Sequence, residues 1–307
     1  MNNNNNENIV ASFYKFARWN EFADYRGDLL DICLKNELVG TILIASEGIN
    51  GSISGTQNGI DNVLKYIRTI DQFTDLKVKY SLAYGKTFRK MKVRLKKEIV
   101  SMGKDNVAPD MLTGQLLNPN EWDNLLDQDD VLVIDTRNTY EHSIGSFKGA
   151  TYPNTSSFRE FPDWVDNFID HNKDKKIAMY CTGGIRCEKA SSYLLSKGYK
   201  NVYQLDGGIL KYLEERPEDD SKWNGECFVF DYRVSLEHKL NKGNHEMCHA
   251  CRMPLSETDR KSEFYKKDMS CPYCHDKQNE KSMKRFKERK LQLELQKQRN
   301  IIEQRDG

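Results

Sequence analysis

Lys176-Ile177-Ala178-Met179-Tyr180-Cys181-Thr182-Gly183-Gly184-Ile185-Arg186 is the stretch that decides how this 307-residue chain is read. A short apolar run reads as a buried strand, and Arg186 to Lys197 reads as a helix, so the cysteine sits on a strand-to-helix turn. Glycines at 183 and 184 admit backbone conformations closed to other residues. The amides of Thr182, Gly183, Gly184 and Ile185 can therefore converge on one anion. The helix N-terminus adds partial positive charge and Arg186 a full one. Both favour the thiolate, the nucleophilic form of Cys181. Four residues separate Cys181 from Arg186, whereas a phosphatase-type loop carries five to surround a phosphate. The smaller ring suits a single sulfur or oxygen atom.

Working outward, three further segments agree with this loop in order and spacing. They are Val131-Leu132-Val133-Ile134-Asp135-Thr136-Arg137, Glu141 to Ala150, and Leu205-Asp206-Gly207-Gly208-Ile209. With the loop they make residues 113–224 resemble the rhodanese superfamily, in which the loop cysteine carries a persulfide. The resemblance implies a doubly wound α/β unit with a parallel sheet, whose ligands bind beyond the carboxyl ends of the strands. Asp135 and Arg137 follow one strand and are read, with Glu141, as ion-pairing residues that orient the loop. Cys187 is read either as a second thiol able to resolve an oxidised Cys181 by disulfide formation, or as a small buried side chain.

Before this unit, residues 9–112 alternate short apolar and amphipathic runs: strand 9–16, helix 21–36, strands 38–45 and 51–55, helix 60–70, strands 76–84 and 92–100. The order β-α-β-β-α-β is that of a ferredoxin-like (acylphosphatase-like) sandwich, an antiparallel sheet with two helices on one face and room for an added strand. Glu47-Gly48-Ile49-Asn50-Gly51 reads as a hairpin turn. Glu47 and Asn50 are candidates for facing a substrate from it. Between Lys77 and Lys104 stand ten Lys or Arg against one acid, Glu98. Arg89, Lys90, Lys92, Arg94, Lys96 and Lys97 are the densest part, and their one-sidedness favours contact with RNA phosphates over a merely solvated strand. From Asp105 to Asp231 the balance reverses to twenty-three acids against thirteen bases, so affinity for a polyanion must come from the flanks.

The last part, 225–307, carries Cys248, Cys251, Cys271 and Cys274 in the spacing C-x2-C-x19-C-x2-C. Two such knuckles supply four thiolates to a structural zinc, with no position left for a catalytic water. A basic, helix-favouring run, 277–305, follows. Eight cysteines with paired C-x-x-C units suit a reducing compartment, and the default is the cytoplasm. No apolar run approaches the ~20 residues of a membrane span. The asparagine-rich start, 1–8, reads as a disordered leader.

The whole arrangement is similar to the tRNA uridine hydroxylase family, formerly an uncharacterised rhodanese-domain group. It shares Glu47-Gly48-Ile49-Asn50-Gly51, the run Lys97-Glu98-Ile99-Val100-Ser101-Met102-Gly103, the loop Cys181 to Cys187 and a Cys-rich tail. This resemblance implies an oxidoreductase that makes 5-hydroxyuridine at the wobble position of tRNA, with Cys181 in the active site and molecular oxygen as co-substrate. Residue chemistry alone gives only a reactive cysteine, an anion nest and a basic surface. No facial-triad pairing and no flavin, nicotinamide or haem motif is present to activate oxygen. A persulfide sulfurtransferase feeding RNA thiolation and a non-catalytic RNA-binding adaptor are the alternatives; a phosphatase is disfavoured by the short loop. Oligomeric state is not legible.

Overall fold

A computed structural model describes residues 7–104, 107–169 and 173–303. They form two compact units divided between Gly243 and Asn244. The first begins with β1 (Glu7–Phe16), α1 (Arg26–Lys35), β2 (Val39–Ala45), β3 (Gly48–Gly55), α2 (Gln57–Ile67), β4 (Val78–Tyr84) and β5 (Met91–Leu95). The sheet order is β4-β1-β3-β2-β5. β5 is the added strand, and it pairs parallel to β2, so the sheet is mixed rather than antiparallel throughout.

Alternation divides the sheet faces. Ala11, Phe13, Ile42, Ile44, Ile53, Met91 and Val93 point to α1 and α2, where Leu29, Cys33, Ile60, Val63 and Ile67 close the core. Ser12, Tyr14, Thr41, Asn50, Ser52, Lys92 and Arg94 are the intervening residues and fall on the face without helices.

Three local expectations are corrected. The hairpin turn lies at Ser46-Glu47, and Ile49, Asn50 and Gly51 belong to β3. Gly51 serves packing, because a Cβ there would stand 2.6 Å from the Phe13 ring. The strand expected over 92–100 stops at Leu95, after which the Glu98 carboxylate accepts from the amides of Met102 and Gly103 and turns the chain. The leader read as 1–8 ends earlier, since Glu7 and Asn8 already pair with Tyr84 and Ala83; residues 1–6 lie outside the described ones.

The unit continues with β6 (Gln115–Leu117), α3 (Pro119–Leu126), β7 (Val131–Asp135), α4 (Thr139–His142), β8 (Gly145–Phe147), α5 (Phe161–Phe168), β9 (Lys176–Tyr180), α6 (Ile185–Ser196), β10 (Val202–Leu205) and α7 (Gly208–Glu215). Strands β6-β10-β9-β7 pair in parallel throughout. Ile134, Ile177 and Met179 face α5 and α6, while Val133, Ala178 and Tyr180 face α3 and α7. Both faces are thus covered, which is why these strands read as continuous apolar runs. Asn118 and Glu121 cap α3 reciprocally, fixing where it starts.

Short strands β11 (Trp223–Gly225), β12 (Cys227–Phe228) and β13 (Ser235–Leu236) complete the unit. Trp223 and Cys227 are buried in the core beneath α3 and α7. The boundary read at 224/225 therefore falls inside the first unit. The second unit holds β14 (Glu246–Met247), β15 (Pro254–Leu255), α8 (Glu257–Lys261) and the long α9 (Glu280–Glu303). No helix among the described residues is long and apolar enough to cross a membrane.

Candidate active site and metal centre

Cys181 follows β9 at the carboxyl edge of the parallel sheet and is almost wholly buried. Gly184 precedes the first residue of α6 with φ of 105°, a conformation that needs glycine. Gly183 differs, for nothing lies within 4 Å of where its Cβ would be. Only one of the two glycines is thus demanded by local geometry. The Gly184 amide donates to Cys181 Sγ at 3.1 Å.

Burial opposes a charged sulfur here. The Cys187 thiol, the Arg186 guanidinium and the amides of Cys187 and Gly184 outweigh it and hold the Cys181 thiol well below its usual range. Cys187 is driven the opposite way, by burial first and then by the neighbouring Cys181 charge. One thiolate is therefore shared with one thiol, and Thr136 Oγ1 lies 3.6 Å from Cys187 Sγ.

Arg186 is not a free cation. Its Nη1 and Nη2 each donate to a Glu141 carboxylate oxygen at 2.6 Å, with Glu141 wholly buried. Beneath that pair lies a second one: Arg137 Nε and Nη2 donate to Asp135 at 2.8 and 2.6 Å. Tyr180 Oη also donates to Asp135, at 3.0 Å. Arg137 then reaches the Glu141 carbonyl at 3.2 Å and the Gly145 carbonyl at 2.6 Å. Although burial opposes it, the Arg137 charge holds the Asp135 carboxyl well below the usual carboxylate range. Asp135 and Arg137 have no exposed surface, so they brace α4 and Glu141 and do not line the pocket.

The pocket is a cavity of about 800 Å³ between the helix-free sheet face and the Cys181 loop. Thr41, Asn50 and Lys79 come from the sheet; Cys181, Gly183 and Arg186 come from the loop. Three residues of the first hundred, each missed as a site residue by the sequence reading or given another role, tie the two walls together. Tyr14 Oη donates to Glu188 at 2.7 Å. Lys79 Nζ donates to the carbonyls of Gly183, at 2.8 Å, and Gly207. Burial pulls the Lys79 ammonium down to about 8, against the charges of Cys181 and Asp206.

Glu47 is the third, a residue the sequence offered as a candidate for facing a substrate. Its carboxylate accepts from Lys189 Nζ on α6 at 2.8 Å and from the Ile99 amide at 2.6 Å. Lys189, 1% exposed, also reaches Glu98 at 2.6 Å. Asn50 donates to the Ile99 carbonyl at 3.0 Å, so it too fixes segment 98–103, while its side of β3 lines the cavity.

Of the basic residues, Arg89, Lys90, Arg94, Lys96 and Lys97 are exposed and Lys92 is half-buried. Lys92 and Arg94 stand opposite Thr41 and Leu43, two cavity residues. The basic edge strand therefore continues the cavity wall outward.

In the second unit the sulfurs of Cys248, Cys251, Cys271 and Cys274 all lie within 4.8 Å of one another. The Cys251–Cys271 and Cys271–Cys274 separations are 3.6 and 3.7 Å. Tetrahedral zinc with Zn–S of about 2.3 Å requires sulfur separations of about 3.8 Å, so the cluster fits such an ion.

Comparison with known proteins agrees with this architecture. Residues 8–99 match a family described as the UPF0176 acylphosphatase-like domain, and residues 118–215 match the rhodanese-like domain. Among solved structures, a rhodanese-like domain protein from Staphylococcus aureus is 25% identical, covering 32% of this chain and 90% of that one, with a TM-score of 0.28. An acylphosphatase from Coxiella burnetii is 13% identical over 29% of this chain and 93% of its own, with a TM-score of 0.22. Over 287 residues the chain is 48% identical to the tRNA uridine(34) hydroxylase of Teredinibacter turnerae, spanning 94% of this chain and 89% of that protein. With both domains and nearly the full length matched, the chain belongs to the tRNA uridine(34) hydroxylase family.

Proposed function

We propose that this protein hydroxylates C5 of the wobble uridine of tRNA, in the cytoplasm, with molecular oxygen as co-substrate and Cys181 as the reacting residue. The observation that carries the reading is Cys181 Sγ, held by the Gly184 amide at 3.1 Å, on the wall of a cavity large enough for a nucleotide. A thiolate adds to C6 of uracil: the S–C6 bond forms, the C5–C6 π bond opens, and the electron pair moves towards C5 and O4. C5 then becomes the electron-rich carbon that oxygen attacks. One oxygen atom stays on C5, and the other leaves as water once a two-electron donor and two protons have supplied the balance; the C5 proton then departs and the S–C6 bond breaks, restoring the C5–C6 double bond and the Cys181 thiolate.

In this reading Arg186 and the amides of Gly184 and Cys187 hold the sulfur, where the sequence pointed to those of residues 182–185, and Asp135, Arg137 and Glu141 hold Arg186. Residues 9–112 contact the RNA, with Arg89 to Lys97 engaging phosphates beside the cavity mouth. Residues 113–224 supply the chemistry. Zinc on the four cysteines holds the second unit together and takes no part in the reaction.

The test is purified protein with unmodified tRNA and an undialysed extract of cells lacking this gene as reductant, under isotopically heavy oxygen gas. Heavy 5-hydroxyuridine at the wobble position is expected; unlabelled product, or none, contradicts the reading. Run on the triple variant Arg94→Glu, Lys96→Glu, Lys97→Glu, the same assay is expected to show KM raised at least about ten-fold with a flattened salt dependence and kcat retained. Wild-type KM would remove RNA contact from this strand. Thiosulfate:cyanide turnover without hydroxyuridine would move the assignment to sulfur transfer.

A further inference from the structure

The carbonyls of the Cys181 loop are accounted for one by one. That of Cys181 accepts from the Ile209 amide at 2.9 Å, and that of Thr182 from the Leu210 amide at 3.1 Å, both at the start of α7. The third, Gly183, accepts among the described residues from Lys79 Nζ at 2.8 Å, a side chain of β4 more than a hundred residues earlier. This carbonyl belongs to the same planar peptide as the Gly184 N–H, and in a trans peptide the two point in opposite directions. Lys79 grips the oxygen end, and the nitrogen end donates to Cys181 Sγ at 3.1 Å.

The glycines around the site fit this arrangement. A Cβ on Gly207 would lie 3.1 Å from Lys79 Nζ, and one on Gly184 would lie 2.7 Å from Tyr14 Oη. Both positions are therefore places where the N-terminal sheet approaches the loop backbone. Charge points the same way. Glu141 neutralises Arg186 and Asp135 neutralises Arg137, whereas the hydrogen bonds of Lys79 Nζ go to two neutral carbonyls.

We propose that Lys79 is a positioning residue for the reaction: by holding the Gly183 carbonyl it aims the Gly184 amide at Cys181, so the N-terminal domain completes the thiolate site of the rhodanese domain. The inference rests on Cys181 being the reacting thiol. Titratable and charged groups around that sulfur are Arg186, Cys187 and Glu188 on α6, Tyr14 and Lys79 from the sheet, and Cys227. Of these, only Lys79 touches the Gly183 carbonyl among the described residues.

The experiment is iodoacetamide alkylation of Cys181 in the full chain, followed by peptide mass spectrometry across pH, for wild type, Lys79→Met and Lys79→Arg. Alkylation requires the thiolate, so the wild-type rate should stay level until pH falls below the depressed thiol pKa. Lys79→Met is expected to move that fall upward by about one pH unit, a ten-fold lower rate on the acid side, with an unchanged melting temperature; Lys79→Arg should recover part of it. Superimposable profiles for wild type and Lys79→Met would overturn the proposal. Should the methionine variant not fold, Lys79→Gln, uncharged and one atom shorter, takes its place, and a profile superimposable on wild type would overturn the proposal equally. Because alkylation needs no RNA, absence of hydroxyuridine formation by wild type would defeat the proposed function and leave this result readable.

Discussion

Replacing Cys181 with serine is expected to lower 5-hydroxyuridine formation by at least about a thousand-fold, the scale at which removing a catalytic nucleophile acts. Serine is nearly isosteric, and the Gly184 amide and Arg186–Glu141 pair remain in place around it. What is lost is ionisation, since a hydroxyl is not brought to an alkoxide by surroundings that suffice for a thiol. Thermal melting should therefore change little and KM for tRNA should stay within a few-fold. A serine variant with even a tenth of wild-type turnover would remove Cys181 from the chemistry and leave it a buried structural thiol.

Glu141→Gln carries the largest expected loss of stability. Both oxygens of this carboxylate face the Arg186 guanidinium at 2.6 Å, one also accepts from Thr182 Oγ1 at 3.3 Å, and the other accepts from the Asn138 amide at 3.1 Å as part of the α4 cap. Glutamine keeps the size but leaves a buried guanidinium without its counter-charge and turns an NH2 group toward it. Breaking such a pair from one side costs about 3–5 kcal/mol. The midpoint of urea unfolding should fall accordingly. The double variant Glu141→Gln, Arg186→Met should be less destabilised than the sum of its two single changes, because the orphaned charge is gone. A single-variant loss under about 1 kcal/mol would mean the pair is solvated and does not organise the loop.

Both residues were visible in the sequence, Cys181 as the reactive thiol and Glu141 as an ion-pairing residue that orients the loop, but the partner of Glu141 was not. Cys181 announces itself through local order, a strand, a cysteine, glycines and a helix, and local order is what periodicity and turn chemistry report. The four cysteines of the second unit are legible for the same reason, since their spacing encodes two knuckles. Arg186 read alone looked like the cation beside the sulfur; its bidentate partner Glu141 stands forty-five residues earlier, and nothing in spacing joins them. Glu47 shows the converse case. Next to two glycines and an asparagine it looked like a substrate loop, yet its carboxylate is paired with Lys189 on α6, 142 residues later, and nothing in local spacing joins the two.

Lys79 was counted in the basic stretch but assigned no separate role. In the stretch from Lys77 to Lys104 it is one of ten Lys or Arg, and only the fold distinguishes it from Lys77 or Lys86 by carrying it to the Gly183 carbonyl. The parallel pairing of β5 was hidden likewise, because alternation reveals a strand's faces but not its direction relative to a neighbour.

Nucleoside mass spectrometry of total tRNA tests the central claim most directly, using cells that lack this gene and carry either the wild-type gene or Cys181→Ser. Loss of 5-hydroxyuridine and its derivatives on deletion, restored by wild type and not by the serine variant, is the predicted result. Unchanged 5-hydroxyuridine in cells lacking the gene, or full restoration by Cys181→Ser, would contradict it.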